Sequence, residues 1–192
     1  DIMAVVDIST SMLAKDVSPN RIEFTKRKLL DTVTYLENHS RGDRLGLVLF
    51  AGDAYLFCPL TSDYSVLRVF IGSIGPDLIT SGGSALNKAI QTAITSFKVS
   101  DASSPRLLLI TDGEDQELDV GGIVSLAKSA PIAVDTLGVG TADGSPIESQ
   151  PGYFVKDRNG NVVISKLNLD GLSDIASQTG GRYVTAGVDD SD

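Results

Sequence analysis

The chain has 192 residues, of which 42% are hydrophobic and 21% are charged, a balance that supports a packed core and excludes an intrinsically disordered chain. Lysine and arginine number 16 and acidic residues number 25, so the net charge is −9 and nucleic acid is excluded as a favourable partner. The single cysteine, Cys58, excludes an internal disulfide and a cysteine-based zinc site, and its apolar neighbours indicate a buried strand residue.

Strand and helix patterns alternate along the chain. In chain order they predict strands at 2–6, 45–50, 54–60, 106–111, 132–137 and 182–185, and helices at 18–37, 64–71, 86–97, 120–127 and 168–179. Only a short connection containing Gly52 and Asp53 separates the second strand from the third. So short a connection implies a hairpin, and the third strand is therefore predicted to be antiparallel and at an edge of the sheet. The fold class is therefore α/β, a doubly wound, mostly parallel, Rossmann-like sheet with flanking helices.

A late hairpin interrupts this alternation. Asn159 and Gly160 lie between the apolar runs 153–155 and 162–164, which is a strong hairpin signal, and we expect a surface insertion there. The sequence shows no internal repeat or linker, so residues 1–192 are interpreted as one domain. No apolar run is long enough to cross a bilayer, and a chain that begins directly with a core strand is expected to be part of a longer protein.

A polar cluster follows the first strand, where Asp7, Ser9 and Ser11 form a D-x-S-x-S pattern. In α/β sheets, ligands bind at the carboxyl ends of the strands. One carboxylate and two hydroxyls within a single turn are the hard oxygen donors that Mg²⁺, Mn²⁺ or Ca²⁺ prefers. Three residues cannot supply six ligands, so other loops must contribute.

Two further loops qualify. One precedes the third helix and offers Ser84, with Ser81 as the alternative ligand, and the other follows the fourth strand and offers Asp112. If these loops meet the first one at the switch point of the sheet, they complete a cation site with one or two waters. The predicted metal ligands are Asp7, Ser9, Ser11, Ser84 and Asp112.

These three motifs together resemble the metal-ion-dependent adhesion site of von Willebrand factor A domains, and the resemblance spans nearly the whole chain. It implies that the hydroxyls of Ser9, Ser11 and Ser84 contact the ion directly, whereas the carboxylates of Asp7 and Asp112 act through water or alternate between the two modes. Ser84 stands where that family usually has threonine. An ion with few anionic ligands is under-neutralised, so it can accept an Asp or Glu carboxylate from a partner protein.

Within that family, the chain is most similar to bacterial Bat-type membrane proteins linked to aerotolerance. The stretches that carry this resemblance are 7–14, 19–23, 157–167 and 179–183. The resemblance implies flanking membrane segments, a periplasmic soluble domain, a companion AAA+ ATPase of the MoxR type, and sister von Willebrand factor A proteins in the same complex.

The leading hypothesis is a non-enzymatic, cation-dependent protein-binding module. The alternative is an Mg²⁺-dependent phosphoryl-transfer enzyme using Asp7, which would also need an acid/base group and a phosphate-binding cation. Lys15 is the only basic residue within ten positions after Asp7, which argues against it. A metal-independent scaffold is the third hypothesis.

The pattern around Gly138 and Gly140 lacks the third glycine of a dinucleotide site, so no Rossmann-type cofactor is predicted.

Two other polar features have structural explanations. His39, the only histidine, follows the first helix and is expected to interact with its C-terminus, so no Ser-His-Asp triad is predicted. The acidic run of Glu114, Asp115 and Glu117 is interpreted as a solvated loop rather than a second metal site, because acidic loops are common on protein surfaces.

Overall fold

The computed structural model describes residues 1–39, 42–78, 85–99, 102, 104–114, 118–150 and 152–186. The helices are α1 (Arg21–His39), α2 (Tyr64–Gly72), α3 (Leu86–Val99), α4 (Val120–Ser129) and α5 (Leu169–Thr179). The long strands are β1 (Ile2–Asp7), β2 (Leu45–Phe50), β3 (Ala54–Thr61), β4 (Arg106–Thr111) and β5 (Ala133–Val139). Four short strands follow, β6 (Ser145–Pro146), β7 (Glu148–Gln150), β8 (Tyr153–Phe154) and β9 (Ile164–Ser165), and then β10 (Tyr183–Ala186).

The main sheet has six strands in the order β10-β5-β4-β1-β2-β3. All neighbours are parallel except β2 and β3, so the predicted mostly parallel α/β sheet with one antiparallel edge strand is confirmed. Val5 of β1 pairs with Val48 on one side and Leu109 on the other, and all three side chains are buried. A strand that is covered on both faces and flanked on both edges carries the continuous apolar run that the sequence displays.

Helices cover both faces of this sheet. Successive strand residues point to opposite sides, so a continuous apolar strand must be covered on both. Val6 packs in a cluster with α1 and α2, whereas its neighbour Val5 packs in a second cluster with α3, α4 and α5. Cys58 is a free thiol buried in the first cluster, as its apolar neighbours predicted. The two layers hold the carboxyl ends of β1 and β4 side by side at one edge, which positions the candidate site.

Most helix boundaries match their sequence signals, and one does not. Asp119 caps α4 by accepting the Gly122 N–H, and Gly180 ends α5 with φ +77°, a left-handed conformation that suits glycine. The predicted start of the first helix at Ser18 was wrong, because α1 begins at Arg21. Asn20 explains the later start, since its side-chain oxygen accepts the Glu23 N–H at 2.8 Å and takes the capping role.

The predicted late hairpin is present within a larger group of short strands, which we call the mini-sheet (residues 145–165). Val163 donates its N–H to the Val155 carbonyl at 2.9 Å, and Lys156 bridges Val162 across the turn. Residues 145–150 pair with both arms of the hairpin, through β6 with β9 and β7 with β8. The insertion therefore contains three short backbone segments rather than a two-stranded ribbon.

None of the helices in the described ranges combines the length and apolar character needed to cross a membrane.

Candidate metal centre

Asp7 ends β1 and lies buried at the carboxyl edge of the sheet, with 2% of its surface exposed. One carboxylate oxygen accepts the Ser9 N–H at 2.8 Å, and the other accepts the Thr111 hydroxyl at 2.6 Å. Thr111 ends β4, the parallel neighbour of β1, so the register of the sheet brings the two side chains together. These bonds fix the carboxylate at the floor of the site.

Ser11 lies in a short 3₁₀ helix, Thr10–Leu13, that follows β1, and Ser9 directly precedes this helix. Their hydroxyl oxygens are 3.0 Å apart. Ser9 occupies the N-cap position, but its side chain caps no backbone N–H, so the hydroxyl is available to the site. Thr10, between them, is exposed. The D-x-S-x-S spacing thus places two hydroxyl groups on the same side of one turn.

Asp112 directly follows β4 and is 1% exposed. One of its carboxylate oxygens accepts the Glu114 N–H at 3.0 Å, and the other accepts a guanidinium N–H of Arg21 at 2.8 Å. The same Arg21 nitrogen also donates to the Ser11 carbonyl at 3.4 Å, which places Ser11 beside this carboxylate. The structure therefore brings Asp7, Asp112 and the two serines into one cluster, as the sequence predicted.

The electrostatics of this cluster suit a cation. Burial, and secondly the charge of Asp112, raise the pKa of Asp7 from 3.8 to about 7. Burial also raises the pKa of Asp112, although hydrogen bonding by Ser11 and the charge of Arg21 oppose that effect. Two buried carboxylates that destabilise each other's charge gain most from an added positive ion. With two adjacent hydroxyls, they form a donor set that fits Mg²⁺ or Mn²⁺.

Ser84, the predicted ligand from the second loop, and its alternative Ser81 lie outside the described residues. Asp115 and Glu117 of the acidic run lie outside them as well. Among the described residues, no group of three or more His, Cys, Asp or Glu side chains is arranged to hold a metal. The candidate centre is of a different kind, with two carboxylates supplemented by hydroxyls.

Arg21 is the main feature that sequence reasoning missed. Its side chain is completely buried and forms a two-bonded pair with Asp16, at 2.9 and 2.8 Å, in addition to its bond with Asp112. It also donates to the Ser165 hydroxyl at 2.5 Å and to the Ser165 carbonyl at 3.1 Å. Arginine in the first turn opposes the helix dipole, so its position at the start of α1 was a usable signal for a specific buried role.

The mini-sheet is joined to the centre through a second residue, Glu114. Its carboxylate accepts the Ser165 hydroxyl at 2.6 Å and the Lys166 N–H at 2.7 Å. The interpretation of this part of the acidic run as a solvated loop was thus incomplete, since Glu114 is exposed yet holds the end of the insertion. Asn168 adds a backbone bond, because its N–H donates to the Asp112 carbonyl at 2.8 Å.

His39 lies at the other end of α1, as expected. Its ring contacts the Tyr35 carbonyl at 3.0 Å and stacks on the Tyr35 ring at a centroid distance of 4.5 Å. Helix α1 has 19 residues, so it is roughly 28 Å long. The only imidazole of the chain therefore has no access to the candidate centre.

The parallel sheet with helices on both faces and oxygen ligands at its carboxyl edge defines a class of α/β domain with a candidate divalent-cation site. The chain belongs to the von Willebrand factor type A domain family, whose sequence profile matches residues 2–114. That match contains the sheet edge with Asp7, Ser9, Ser11 and Asp112.

Solved structures place it among the Bat-type members of the family. It is 38% identical to BatB from Bacteroides thetaiotaomicron, with a TM-score of 0.88, 97% of this chain and 90% of that chain being covered. An aerotolerance-related membrane protein from Bacteroides fragilis is also 38% identical, with a TM-score of 0.87 and coverage of 96% and 90%. A UPF0353 protein of Nocardia farcinica is 30% identical over 199 residues, covering 96% of this chain. The chain spans 57% of that relative's length and 54% of a Borreliella burgdorferi relative.

Proposed function

We propose that this domain binds a partner protein through a divalent cation, with Mg²⁺ as the first candidate and Mn²⁺ or Ca²⁺ as alternatives. Asp7, Ser9, Ser11 and Asp112 would hold the ion, together with Ser84. The observation that carries the proposal is the convergence of two buried carboxylates and two hydroxyls, 3.0 Å apart, at the carboxyl edge of the sheet. The partner would supply an Asp or Glu carboxylate as a further ligand.

The environment of Asp7 favours binding over catalysis. Both of its oxygens accept hydrogen bonds, from Ser9 and Thr111, which hold the carboxylate in place at the floor of the site, and neither donor can serve as the acid/base partner that a nucleophilic Asp needs. The nearest cation, Arg21, is completely buried and already paired with two carboxylates, so it offers no phosphate-binding group at the surface. We therefore propose protein binding rather than phosphoryl transfer as the function of the site.

We further propose that the domain acts in a bacterial membrane-associated complex for stress resistance or aerotolerance. Support comes from the Bacteroides fragilis relative, which is named an aerotolerance-related membrane protein. In this proposal the full protein is membrane-anchored and presents the domain on the periplasmic side. Its partners would include a MoxR-type AAA+ ATPase and sister von Willebrand factor A proteins.

Isothermal titration calorimetry with Mg²⁺ and Mn²⁺ tests the site directly. We expect one cation per chain, and loss of binding in Asp112→Ala and in Ser9→Ala with Ser11→Ala. Affinity capture from a cell extract with Mg²⁺ or EDTA then tests the partner. Wild type that binds no cation, together with capture indifferent to EDTA, would leave the metal-independent scaffold as the better account.

A further inference from the structure

The mini-sheet carries an exposed apolar face beside the candidate metal centre. Phe154 stands opposite Glu148 and Ile164 stands opposite Pro146 on the shared central segment, and the three segments also bond one another through Ile147, Val155 and Val163. Phe154 and Ile164 therefore point outward from the mini-sheet, and so does Val162, two residues before Ile164. We call these three side chains the outer face; Phe154 is 45% exposed, Val162 42% and Ile164 46%.

The inner side of the same segment faces the protein. Ile147, which alternates with Pro146 and Glu148, is 5% exposed, and Ser165, next to Ile164, is completely buried. The exposure of the outer face is therefore not a consequence of loose packing of the insertion. Exposed apolar side chains that are grouped on a well-packed segment are typical of a protein interaction site.

Fixed contacts place the outer face at the rim of the centre. Ser165 is bonded to Arg21, which in turn bonds Asp112, and Glu114 bonds both Ser165 and the Lys166 N–H. On the other flank, Lys15 forms an ion pair with Glu148, the residue opposite Phe154. A protein that reaches a cation at Asp112 would have the outer face beside it.

The charges around the outer face differ in sign from the chain as a whole. Lys156, Arg158 and Lys166 are exposed, and within the described ranges none of them forms an ion pair. Of the acidic neighbours, Glu148 is paired with Lys15, so the three cations face the carboxylates of Asp157 and Glu114 and leave a small positive excess. The insertion thus presents a positive, apolar surface on a chain whose net charge is −9.

We propose that the outer face is the specificity-determining part of the partner interface, and that it binds an acidic protein segment with aliphatic or aromatic side chains next to its metal-ligating Asp or Glu. This inference rests on the proposed function, because the same partner occupies both surfaces. Charge complementarity selects the acidic segment, and continuity with the metal centre selects a protein over other occupants. Apolar contacts supply affinity that a lone carboxylate lacks.

A display library of random linear peptides, selected on the wild-type domain with Mg²⁺, provides the probe. The selected peptides are expected to contain Asp or Glu beside apolar residues and to be acidic overall. Fluorescence anisotropy then measures synthetic peptides against Phe154→Ser with Ile164→Ser. We expect affinity to fall by at least about tenfold, while the Mg²⁺ affinity from calorimetry stays unchanged.

Matched controls use exposed residues remote from the mini-sheet. Val69→Ser on α2, where the side chain is 73% exposed, should leave peptide affinity unchanged. Lys156→Glu with Arg158→Glu should weaken binding with a reduced salt dependence, whereas Lys98→Glu on α3 should not.

The outcomes separate the two proposals. Peptides that need Mg²⁺ but bind equally to the double-serine variant would overturn the outer face and leave the metal function standing. Peptides that bind in the presence of EDTA, and whose binding is abolished in the double-serine variant, would support the outer face and overturn the metal function. A library that yields no peptide with reduced affinity for the double-serine variant overturns the inference. Variant-sensitive binding to anionic lipid vesicles, or self-association abolished by the variant, would assign the face to a membrane or to a second copy and equally overturn it.

Discussion

A guanidinium N–H of Arg21 lies 2.8 Å from a carboxylate oxygen of Asp112, and both side chains are excluded from solvent. The same guanidinium pairs with Asp16, whose other contacts are the backbone N–H and the hydroxyl of Thr141. The buried Arg21 thus joins the candidate metal centre to the start of α1 and, through Asp16 and Thr141, to the segment that leads into the mini-sheet.

Replacement of Arg21 by glutamine should destabilise the domain strongly. The change leaves Asp16 and Asp112 buried without their positive partner, and such a loss costs about 3–5 kcal/mol of unfolding free energy. Urea denaturation in EDTA measures the effect. Arg21→Lys, which keeps the charge but not the planar fork that bonds Asp16 twice, should fall between glutamine and wild type. A glutamine variant within 1 kcal/mol of wild type would contradict the structural role.

Gly140 should be intolerant of alanine because of Arg21. Its φ is +133°, and a β-carbon there would lie 2.8 Å from the Arg21 Nε atom, which has no room to move. Gly160→Ala is the matched control, since φ is +85° but no atom lies within 4 Å of the added carbon. The control should cost about 1–2 kcal/mol from backbone strain alone. Urea denaturation should show a clearly larger loss for Gly140→Ala; equal losses would mean that contact with Arg21 is unimportant.

The stability of the metal-free domain should fall as pH rises through the titration of Asp7. Its pKa is about 7 in the folded state against 3.8 ordinarily, so between these values the folded protein holds a proton that the unfolded chain has released. Within that window each pH unit removes about 1.4 kcal/mol of stability, and the stabilising contribution is fully present only below the ordinary value.

Asp7→Asn isolates this contribution, because asparagine keeps the shape but does not titrate. Denaturation curves in EDTA at pH 5 and pH 8 should show the variant gaining on wild type at the higher pH. It should bind no cation at either pH. Parallel pH dependences for the two proteins would show that Asp7 is ionised throughout in the folded state.

Loss of either serine hydroxyl should weaken the cation without harming the fold. Ser9→Ala and Ser11→Ala each remove one hydroxyl, the neutral oxygen that we propose as a ligand, from a partly exposed position. We expect at least about a tenfold loss of Mg²⁺ affinity, or about 1.4 kcal/mol. Thr10→Ala is the control, since its exposed side chain lies between the two serines and is expected to be neutral. Calorimetry measures affinity and circular dichroism the fold. Unchanged binding in both serine variants would exclude them as ligands.

The order of elements and the position of four of the five candidate ligands at one sheet edge could be predicted from the sequence alone, because both depend on local patterns. That these residues bind a metal stays a prediction. The continuous apolar run of β1 identifies a central parallel strand, and its carboxyl end places Asp7, Ser9 and Ser11 at a ligand-binding edge. Ser84, the fifth, lies outside the described residues and stays a prediction.

The tertiary structure alone decided how this edge is neutralised and extended. Arg21 meets Asp112 across 91 positions and Ser165 across 144, and no periodicity encodes contacts between residues so far apart. The pattern at the insertion likewise predicted a hairpin but not its attachment to the centre. Such pairings arise because a buried charge must find its partners wherever the packed chain brings them, which is a property of the whole fold rather than of any segment.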